Sequence, residues 1–457
     1  QGGQEGGCVK IAPNEAQPAT VSRLGGTNQA GDTGPGRWAF VERSVWTECM
    51  LTTLERGVKG GVWFSLIDKV YRPTTLESAW LKVRANKGAA GADHQSIEAF
   101  ESNCATNLAR LGEEIRTDSY CPRPIRRTYI DKPGSKEKRP LGIPTVRDRV
   151  TQTAVCMVIE PILEREFVEH SYGFRPKRGC KAALREVVRL LKAGYTHVVD
   201  ADIKAYFDSI PREPLMAEVR KYIADGRVLE LIEAYLKQEI LEELKLWMPE
   251  AGTPQGAVLS PLLANLYLHP VDVAMAQAGY QMIRYADDFV ILCRSREDAI
   301  SAMEKVRTML TERGLTLHPD KTRLVDTTTP EGGFDFLGYH FDQGTRFPRK
   351  KSLKKFKDAI REKTKRTSGK SLVEIIKKVN YTMRGWFEYF KHSRQRTFPP
   401  LDGWVRRRLR SILRKRSKRQ GISLGYDHMR WPNKYFHAQG LFNLEAALVA
   451  TRQSLVR

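Results

Sequence analysis

The sequence predicts an α+β fold, in which a domain of mixed helices and antiparallel strands is followed by a wholly helical domain. Residues 282–292 place two acids, Asp287 and Asp288, between short apolar runs, a pattern typical of a strand, a tight turn and a second strand. Apolar and polar side chains alternate in residues 196–203, which predicts a further strand. From Arg346 onward apolar residues keep a helical spacing and basic residues dominate, which predicts the helical domain.

Composition favours a nucleic-acid partner. The 457 residues are 41% hydrophobic, enough for two or three domain cores, and carry a formal net charge of +23. Such an excess favours a polyanion, and no apolar run approaches the roughly 20 residues of a membrane-spanning helix. The seven cysteines form no Cys-x-x-Cys pair, which disfavours a zinc site and a disulfide framework. We therefore expect a cytoplasmic protein that binds nucleic acid rather than a membrane.

The first hundred residues divide into a tail and a helical segment. Residues 1–36 are rich in Gly, Gln, Thr and Pro, a composition that predicts a disordered tail. Residues 37–99 show helical spacing that leads into a loop at 86–93, whose small side chains would leave backbone amides open to a phosphate. A plain linker explains the same loop and is the simpler interpretation.

A basic hairpin is predicted next. Residues 125–130 alternate like a strand and lead into a Pro-Gly turn that carries Lys132 and Arg139. On the two arms of a ribbon these cations would suit an incoming triphosphate, although a solvated basic hairpin fits the same residues. Helical spacing then follows at three segments, residues 146–167, 180–191 and 215–247.

Further acids lie on the strand that precedes the hairpin of Asp287 and Asp288. Adjacent carboxylates repel each other, and a cation is the usual remedy. Phosphoryl-transfer sites with two metal ions about 3.5 to 4 Å apart need carboxylates from separate segments, so a third acid is expected elsewhere. Period-two alternation places Asp200 and Asp202 on one face and does not choose between them. Phe207 follows shortly afterwards and would lie near such a site, although a lone aromatic residue usually packs in a core.

A Pro-Gly turn and a helix follow at residues 252–268. Ser260 suits the N-cap and Pro261 the first helical position. Gly256 removes side-chain bulk where a nucleotide or base pair could approach the backbone, and Gln255 offers an amide to it.

The predicted helical domain is strongly basic. Within residues 346–366 the cations are opposed only by Asp358 and Glu362, and a second basic cluster occupies residues 406–419. A charge run is usually a solvated face, but this density on helices favours contact with a phosphate backbone.

The order of these motifs is more specific than any one of them. The chain carries the basic hairpin, the acid-bearing strand with Phe207, the Pro-Gln-Gly turn, the Tyr-Ala-Asp-Asp hairpin, Asp320-Lys321 and a Phe-Leu-Gly-Tyr hairpin at 336–339. In this it resembles the reverse transcriptases encoded by bacterial group II introns, which double as maturases, from about Trp38 to its last residue. The resemblance implies a right-hand polymerase, with fingers and palm at 100–342 and an α-helical thumb, or maturase domain X, at 343–457.

The resemblance also implies a metal site. The ligands would be the carboxylates of Asp202, Asp287 and Asp288 with the backbone carbonyl of Ile203, and this selects Asp202 over Asp200. Two Mg²⁺ ions would be the cofactors, because the ligands are hard oxygens and the substrate supplies phosphates.

The remaining site residues would handle the nucleotide and the primer. By resemblance, Lys132 and Arg139 hold the triphosphate and Lys321 protonates the leaving pyrophosphate. Phe207 would be the steric gate that collides with a ribose 2′-hydroxyl. The turn of Gln255 and Gly256 would contact the nascent base pair, and the hairpin of Phe336, Leu337 and Gly338 would support the primer end.

The implied function is RNA-directed DNA synthesis together with help in intron splicing and mobility. The expected partners are dNTPs, an RNA template with a DNA primer, intron RNA and target DNA, whereas the sequence leaves monomer and dimer open. No paired cysteines follow Cys293, so we expect no endonuclease of the His/Cys-rich type. The alternatives are a splicing or RNA-binding cofactor without polymerase activity, and a domesticated enzyme of repair or phage defence. An RNA-dependent RNA polymerase is disfavoured by Phe207 and by Tyr285-Ala286 before the acids.

Overall fold

The described chain mixes helices with strands as far as Pro348 and is helical beyond it. The computed structural model describes residues 38–457 with the exception of 59, 132–137, 243–244, 249–250, 254–255, 331, 420–424 and 455–457. The predicted tail at 1–36 and two predicted site residues, Lys132 and Gln255, lie outside the described residues.

The strands are short and form three sheets. In order they are β1 (Ile125–Asp131), β2 (Lys138–Ile143), β3 (His197–Asp202), β4 (Ile240–Glu242), β5 (Lys245–Trp247), β6 (Gln281–Tyr285), β7 (Asp288–Cys293), β8 (Arg323–Asp326), β9 (Phe334–Phe336), β10 (Tyr339–Asp342) and β11 (Thr345–Pro348).

The helices before β11 are interspersed with these strands along the chain. They are α1 (Glu48–Arg56), α2 (Ile67–Val70), α3 (Pro73–Asn86), α4 (Ile97–Glu101), α5 (Cys104–Arg116), α6 (Val146–Glu166), α7 (Cys180–Lys192), α8 (Tyr206–Ser209), α9 (Arg212–Arg220), α10 (Gly226–Leu236), α11 (Ser260–Gln277) and α12 (Arg296–Glu312). Those after β11 are α13 (Lys350–Lys363), α14 (Leu372–Phe390), α15 (Phe398–Arg416), α16 (Gly425–Arg430), α17 (Asn433–Ala438) and α18 (Leu444–Ser454), here called the helical domain.

The central sheet has the order β6-β7-β3-β8, and each neighbouring pair is antiparallel. Its middle strands are apolar along most of their length, with Val198, Val199, Val290 and Ile291 fully buried. Helices α7, α11 and α12 pack against these strands. The polar ends of β3 and β7 therefore lie at the edge of a rigid core, which confirms the predicted α+β fold.

A second sheet has the order β2-β1-β4-β5. Strands β1 and β2 form the predicted basic hairpin, with Asp131 opposite Lys138. The helical interpretation of residues 215–247 is wrong at its end, because Ile240 and Leu241 pair in parallel with β1. Their apolar side chains suit either structure, and the free edge of β1 favours the strand. The Pro-Gly turn also differs by one position, since α11 begins at Ser260 and Leu259 stands at its N-cap.

The helical domain has its own core, joined to the central sheet through β9, β10 and β11. Phe356, Met383, Phe387, Phe398 and Val405 are buried together with residues of the last helices. Ser371 caps α14 by accepting a hydrogen bond from Glu374 N at 3.2 Å. The predicted domain boundary at 342/343 lies inside the β10–β11 hairpin, where Asp342 pairs with Thr345. Within the described ranges, no helix combines the length and the apolarity needed to cross a membrane.

Candidate active site

The two neighbouring acids lie where β6 turns into β7. Tyr285 pairs with Asp288, so Ala286 and Asp287 form the tip of the hairpin, and residues 285–288 are here called the acidic turn. Ala286 adopts a left-handed conformation with φ of 61°, which a residue with a Cβ rarely adopts. The strain at this position implies that surrounding groups hold the turn in place.

Asp202 lies directly across the sheet from Asp288. The register of β3 and β7 pairs these two residues, whereas Asp200 lies opposite Val290. Cross-strand partners point to the same face of a sheet, so the carboxyl groups of Asp202 and Asp288 share one face with the tip of the acidic turn beside them. Ile203 is buried and forms a bridge with Leu317. In this bridge Lys204 N donates to the Thr316 carbonyl, and the Asp202 carbonyl accepts from His318 N. The Ile203 carbonyl takes no part in these two hydrogen bonds.

These carboxyl groups interact unfavourably with one another. Burial, reinforced by the charges of Asp200, Asp287 and Asp202, raises the pKa of Asp288 to about 7. Burial and the charge of Asp202 also raise the pKa of Asp287, against the opposing effects of a backbone hydrogen bond at the turn and of the charges of Arg139 and Lys321. An additional positive charge would therefore stabilise the ionised form of these carboxyl groups. A divalent cation with a preference for oxygen ligands fits this donor set.

Two basic residues already contact the cluster from β8 and the segment before it. Lys321 Nζ lies 2.5 Å from Asp202 Oδ2, and Arg323 Nη2 lies 3.0 Å from Asp200 Oδ2. Lys321 is exposed and can move, whereas Arg323 faces Asp200 through the pairing of β3 with β8. Within the described ranges, no three Asp, Glu, His or Cys side chains stand in a finished metal-binding arrangement. The contact uses Asp202 Oδ2, so a cation bound at that oxygen would compete with Lys321.

A cationic cavity of about 910 Å³ opens beside these residues. It is bounded by β1 and β2, by the segment before β8 and by α13. Its lining carries more cations than acids: six cations, Arg139, Lys321, Arg349, Lys351, Lys354 and Lys355, against Asp131, Asp358 and Glu362. Cations from three parts of the fold thus face one space of nucleotide size. A phosphate-rich ligand matches its charge.

The segment that carries Phe207 contacts the turn that contains Gly256. The Phe207 ring is half-buried and contacts Tyr206 and Phe174 edge-on, while its carbonyl accepts a hydrogen bond from Thr253 N at 2.7 Å. Gly256 has a φ of 104°, and a Cβ there would lie 2.2 Å from the Gly142 carbonyl oxygen. The turn before α11 is therefore fitted tightly between β2 and the residues that carry Phe207, and Gly256 is required by that approach.

The turn between β9 and β10 is held by the helical domain. Leu337 and Gly338 both have positive φ, 46° and 83°. Tyr389 on α14 donates its hydroxyl to the Leu337 carbonyl at 2.7 Å, and Ser352 on α13 donates to the Gly338 carbonyl at 2.9 Å. In return Tyr339 donates its hydroxyl to the Tyr389 carbonyl at 2.5 Å. Phe336, the third predicted residue of this hairpin, is fully buried beneath it.

Two further residues at the acidic turn are not identified by the sequence reasoning. A Cβ on Gly173 would lie 2.3 Å from Ala286 N, so only glycine fits against the turn. Arg284 is 1% exposed and forms an ion pair with Asp272 on α11 at 2.5 Å. The one available signal was an arginine within the apolar run of β6, since a buried charge needs a partner.

Comparison with known families and proteins yields matches over most of the chain. Residues 130–341 match the family described as reverse transcriptase (RNA-dependent DNA polymerase), and residues 353–431 match the group II intron, maturase-specific domain. The group II intron-encoded protein LtrA of Lactococcus lactis subsp. cremoris is 38% identical over 208 residues, which are 45% of this chain and 34% of that protein. Protein YkfC of Escherichia coli K12 is 31% identical over 315 residues, covering 60% of this chain and 82% of that one.

Among solved structures, a partial Cas6-RT-Cas1–Cas2 complex is 25% identical with a TM-score of 0.36, over 54% of this chain and 42% of that one. The chain spans about a third of the length of LtrA.

Proposed function

This chain belongs to the family of group II intron reverse transcriptases and maturases, and from that premise we propose that it is an RNA-directed DNA polymerase that also binds intron RNA. The proposed substrates are dNTPs and an RNA template with a DNA primer, and intron RNA and target DNA are the proposed partners in splicing and mobility. The observation that carries the proposal is the pairing of Asp202 with Asp288 beside Asp287 at the edge of the central sheet.

The proposed metal site consists of the carboxylates of Asp202, Asp287 and Asp288 with the carbonyl of Ile203. Two Mg²⁺ ions bound there would supply activation of the primer 3′-hydroxyl and charge neutralisation at the leaving pyrophosphate. The divalent-ion requirement follows from the family, and the number of ions and the ligands are part of the proposal.

The cations around the cavity act on the nucleotide. Arg139, on β2, faces the cavity and would bind the triphosphate oxygens, together with Lys132 by family resemblance. Lys321 would leave Asp202 as the cluster binds its cations, and its ammonium would then donate a proton to the pyrophosphate. Its exposed side chain allows that movement. Gly256, and by resemblance Gln255, would let the nascent base pair lie against the backbone of the turn before α11.

The direct test is extension of a DNA primer on an RNA template. With dNTPs and Mg²⁺ we expect full-length cDNA, with EDTA none, and with excess Mg²⁺ added afterwards a restored reaction. A protein that binds the RNA tightly but extends no primer under any of these conditions would be the splicing cofactor without polymerase activity. A clear preference for NTPs would indicate an RNA polymerase.

Phe207→Ala should weaken the choice between dNTPs and NTPs. Removal of the half-buried ring opens the space in which a 2′-hydroxyl would collide, so discrimination should fall at least about tenfold while dNTP use changes only a few-fold. Single-nucleotide incorporation rates with dATP and ATP measure this. Phe64→Ala, at a phenylalanine that is 69% exposed, is the control and should leave discrimination unchanged. Unaltered discrimination in Phe207→Ala would remove the steric-gate role.

The basic cluster at 406–419 contains both side chains that bind within the helical domain and side chains that are exposed to solvent. Arg410 is 1% exposed and donates to the Trp431 carbonyl at 2.9 Å, and Arg408 donates to the Thr364 carbonyl at 2.9 Å. These two arginines hold the helical domain together. Arg407, Lys415 and Lys418 are exposed and remain available for RNA.

Reversal of these three exposed charges to Glu should lower RNA affinity at least tenfold. Binding releases fewer counterions when phosphate contacts are lost. The magnitude of the slope of log affinity against log salt should therefore fall by roughly two. Filter binding across a salt series measures both quantities. The matched control reverses Lys192, Arg296 and Lys305, three exposed cations outside the helical domain with the same total charge change. Equal behaviour of the two triple variants would show that net charge, and not this surface, determines affinity.

A further inference from the structure

Arg284 is a buried cation that the proposed chemistry does not use. All five of its guanidinium N–H groups have acceptors: Nε and Nη2 bind Asp272 at 2.7 and 2.5 Å, Nη2 binds Ser171 Oγ at 2.8 Å, and Nη1 binds Asn265 Oδ1 at 2.9 Å and the Ala286 carbonyl at 3.0 Å. These residues, Arg284, Asp272, Asn265 and Ser171, are here called the Arg284 network.

The network encloses the acidic turn from its buried side. Asn265 on α11 accepts from Arg284 and donates its amide to the Gly173 carbonyl at 2.7 Å. Gly173 lies against Ala286 N, and Arg284 binds the Ala286 carbonyl. The amide nitrogen and the carbonyl of Ala286 are therefore both held by groups that are anchored in α11 and in segment 171–173. Ala286 is the residue of the turn with the left-handed backbone.

The position of β6 explains why the turn needs such support. In the central sheet β6 is an edge strand, so the acidic turn has a paired strand on one side only. Segment 170–172 closes the other side, through Arg284 N to the His170 carbonyl at 3.0 Å and Tyr172 N to the Arg284 carbonyl at 2.8 Å. Asp287 is outside the ladder altogether, because the last pair of β6 and β7 joins Tyr285 to Asp288.

We propose that Arg284 is a positioning residue, which holds Ala286 in its left-handed conformation and so sets the spacing of Asp287 and Asp288 from Asp202. This inference rests on the proposed function, and it adds that metal affinity depends on a buried ion pair that does not itself touch the metal or the nucleotide. A buried ion pair contributes little to stability compared with well-packed apolar residues, so geometry is the property that this one supplies.

A positioning role and a purely structural role predict different results. If the network only stabilised the fold, a variant that folds and binds RNA normally would also bind divalent cations and polymerise normally. If the network positions the acidic turn, the same variant would lose metal affinity and kcat while keeping its RNA affinity, because the proposed RNA surface belongs to the helical domain.

The test uses the full chain with the double substitution Arg284→Met and Asp272→Leu, which leaves neither charge unpaired. Divalent-ion affinity is measured by electron paramagnetic resonance of Mn²⁺ without nucleic acid, and kcat and KM for dNTP by primer extension. Groups that orient metal ligands typically contribute 10- to 100-fold, so we expect Mn²⁺ affinity and kcat to fall at least about tenfold. RNA affinity should stay within about twofold.

Two further variants keep the result interpretable. Arg284→Lys retains a charge beside Asp272 but cannot bind Asn265 and Ala286 together, so it should fold and show the same loss of kcat and Mn²⁺ affinity. The control replaces a second ion pair of the same region, Arg313 and Glu218 at 2.6 Å, by Met and Leu, and should change neither quantity. Normal Mn²⁺ affinity and kcat in either folded Arg284 variant would overturn the inference. A wild-type chain that neither binds Mn²⁺ nor extends a primer would instead overturn the proposed function.

Discussion

Asp288→Asn is expected to lower the rate of cDNA synthesis by about a thousandfold or more. The substitution keeps the size of the side chain and removes the charge at the centre of the carboxyl cluster, where the mutual repulsion is strongest. A bound metal ion stabilises the charge of the transition state by several kcal/mol, and a loss of about 4 kcal/mol corresponds to a factor of roughly a thousand. Single-turnover extension of a primer by one dNTP measures the rate.

The matched control for this prediction is Asp326→Asn. Asp326 belongs to the same sheet but pairs with His197 at the opposite end of β3. Its Oδ1 accepts hydrogen bonds from Thr328, which an amide oxygen also accepts, and its Oδ2 lies 3.8 Å from His197 Nε2. It should retain the wild-type rate. RNA affinity should remain within about twofold in both variants, because the proposed RNA surface lies on the helical domain. Substantial cDNA synthesis by Asp288→Asn, or parallel loss of rate and RNA affinity, would contradict the assignment of this acid.

Gly173→Ala is the second substitution for which we expect a large effect. A single methyl group would lie 2.3 Å from Ala286 N and 2.9 Å from the Tyr285 carbonyl carbon. Both neighbours are backbone atoms of the acidic turn, so the turn itself has to move. Displacement of reacting groups by about 1 Å can cost a hundredfold in rate, and we expect a loss of at least that size in primer extension.

Gly179→Ala provides the comparison, because it adds the same methyl group in the same stretch of chain. Nothing lies within 4 Å of a Cβ at Gly179, whose backbone is extended. The two variants should have similar RNA affinity and differ in cDNA synthesis. A normal rate in a folded Gly173→Ala protein would mean that the acidic turn tolerates displacement, and would also weaken the role proposed for Arg284.

The sequence reveals those parts of the site that are close along the chain. Asp287 and Asp288 are adjacent between apolar runs, so their turn can be predicted from local pattern alone. The choice between Asp200 and Asp202 cannot, because alternation gives both residues the same face. The register supplies the missing information by pairing Asp202 with Asp288, and this supports the choice made on family resemblance.

Contacts between distant segments are the part that local pattern does not contain. Gly173 lies 113 positions before Ala286, and its closeness to the turn follows only from the path of the chain around α11. Residues 240–247 show the same limitation for secondary structure, since their apolar residues also fit a helix and the exposed edge of β1 decides the outcome. The predicted family and the α+β fold are confirmed, whereas the domain boundaries and the roles of the site residues remain predictions.

The hydrogen bonds that tie Leu337 and Gly338 to α13 and α14 restrict how this chain could be recombined with its relatives. An exchange of everything after residue 342 would separate Tyr389 and Ser352 from the carbonyl groups that they bind. Such a hybrid would inherit the turn between β9 and β10 from one parent and the residues that hold it from the other. A crossover placed before Phe334 would keep both partners together, so natural and engineered chimaeras should favour that junction.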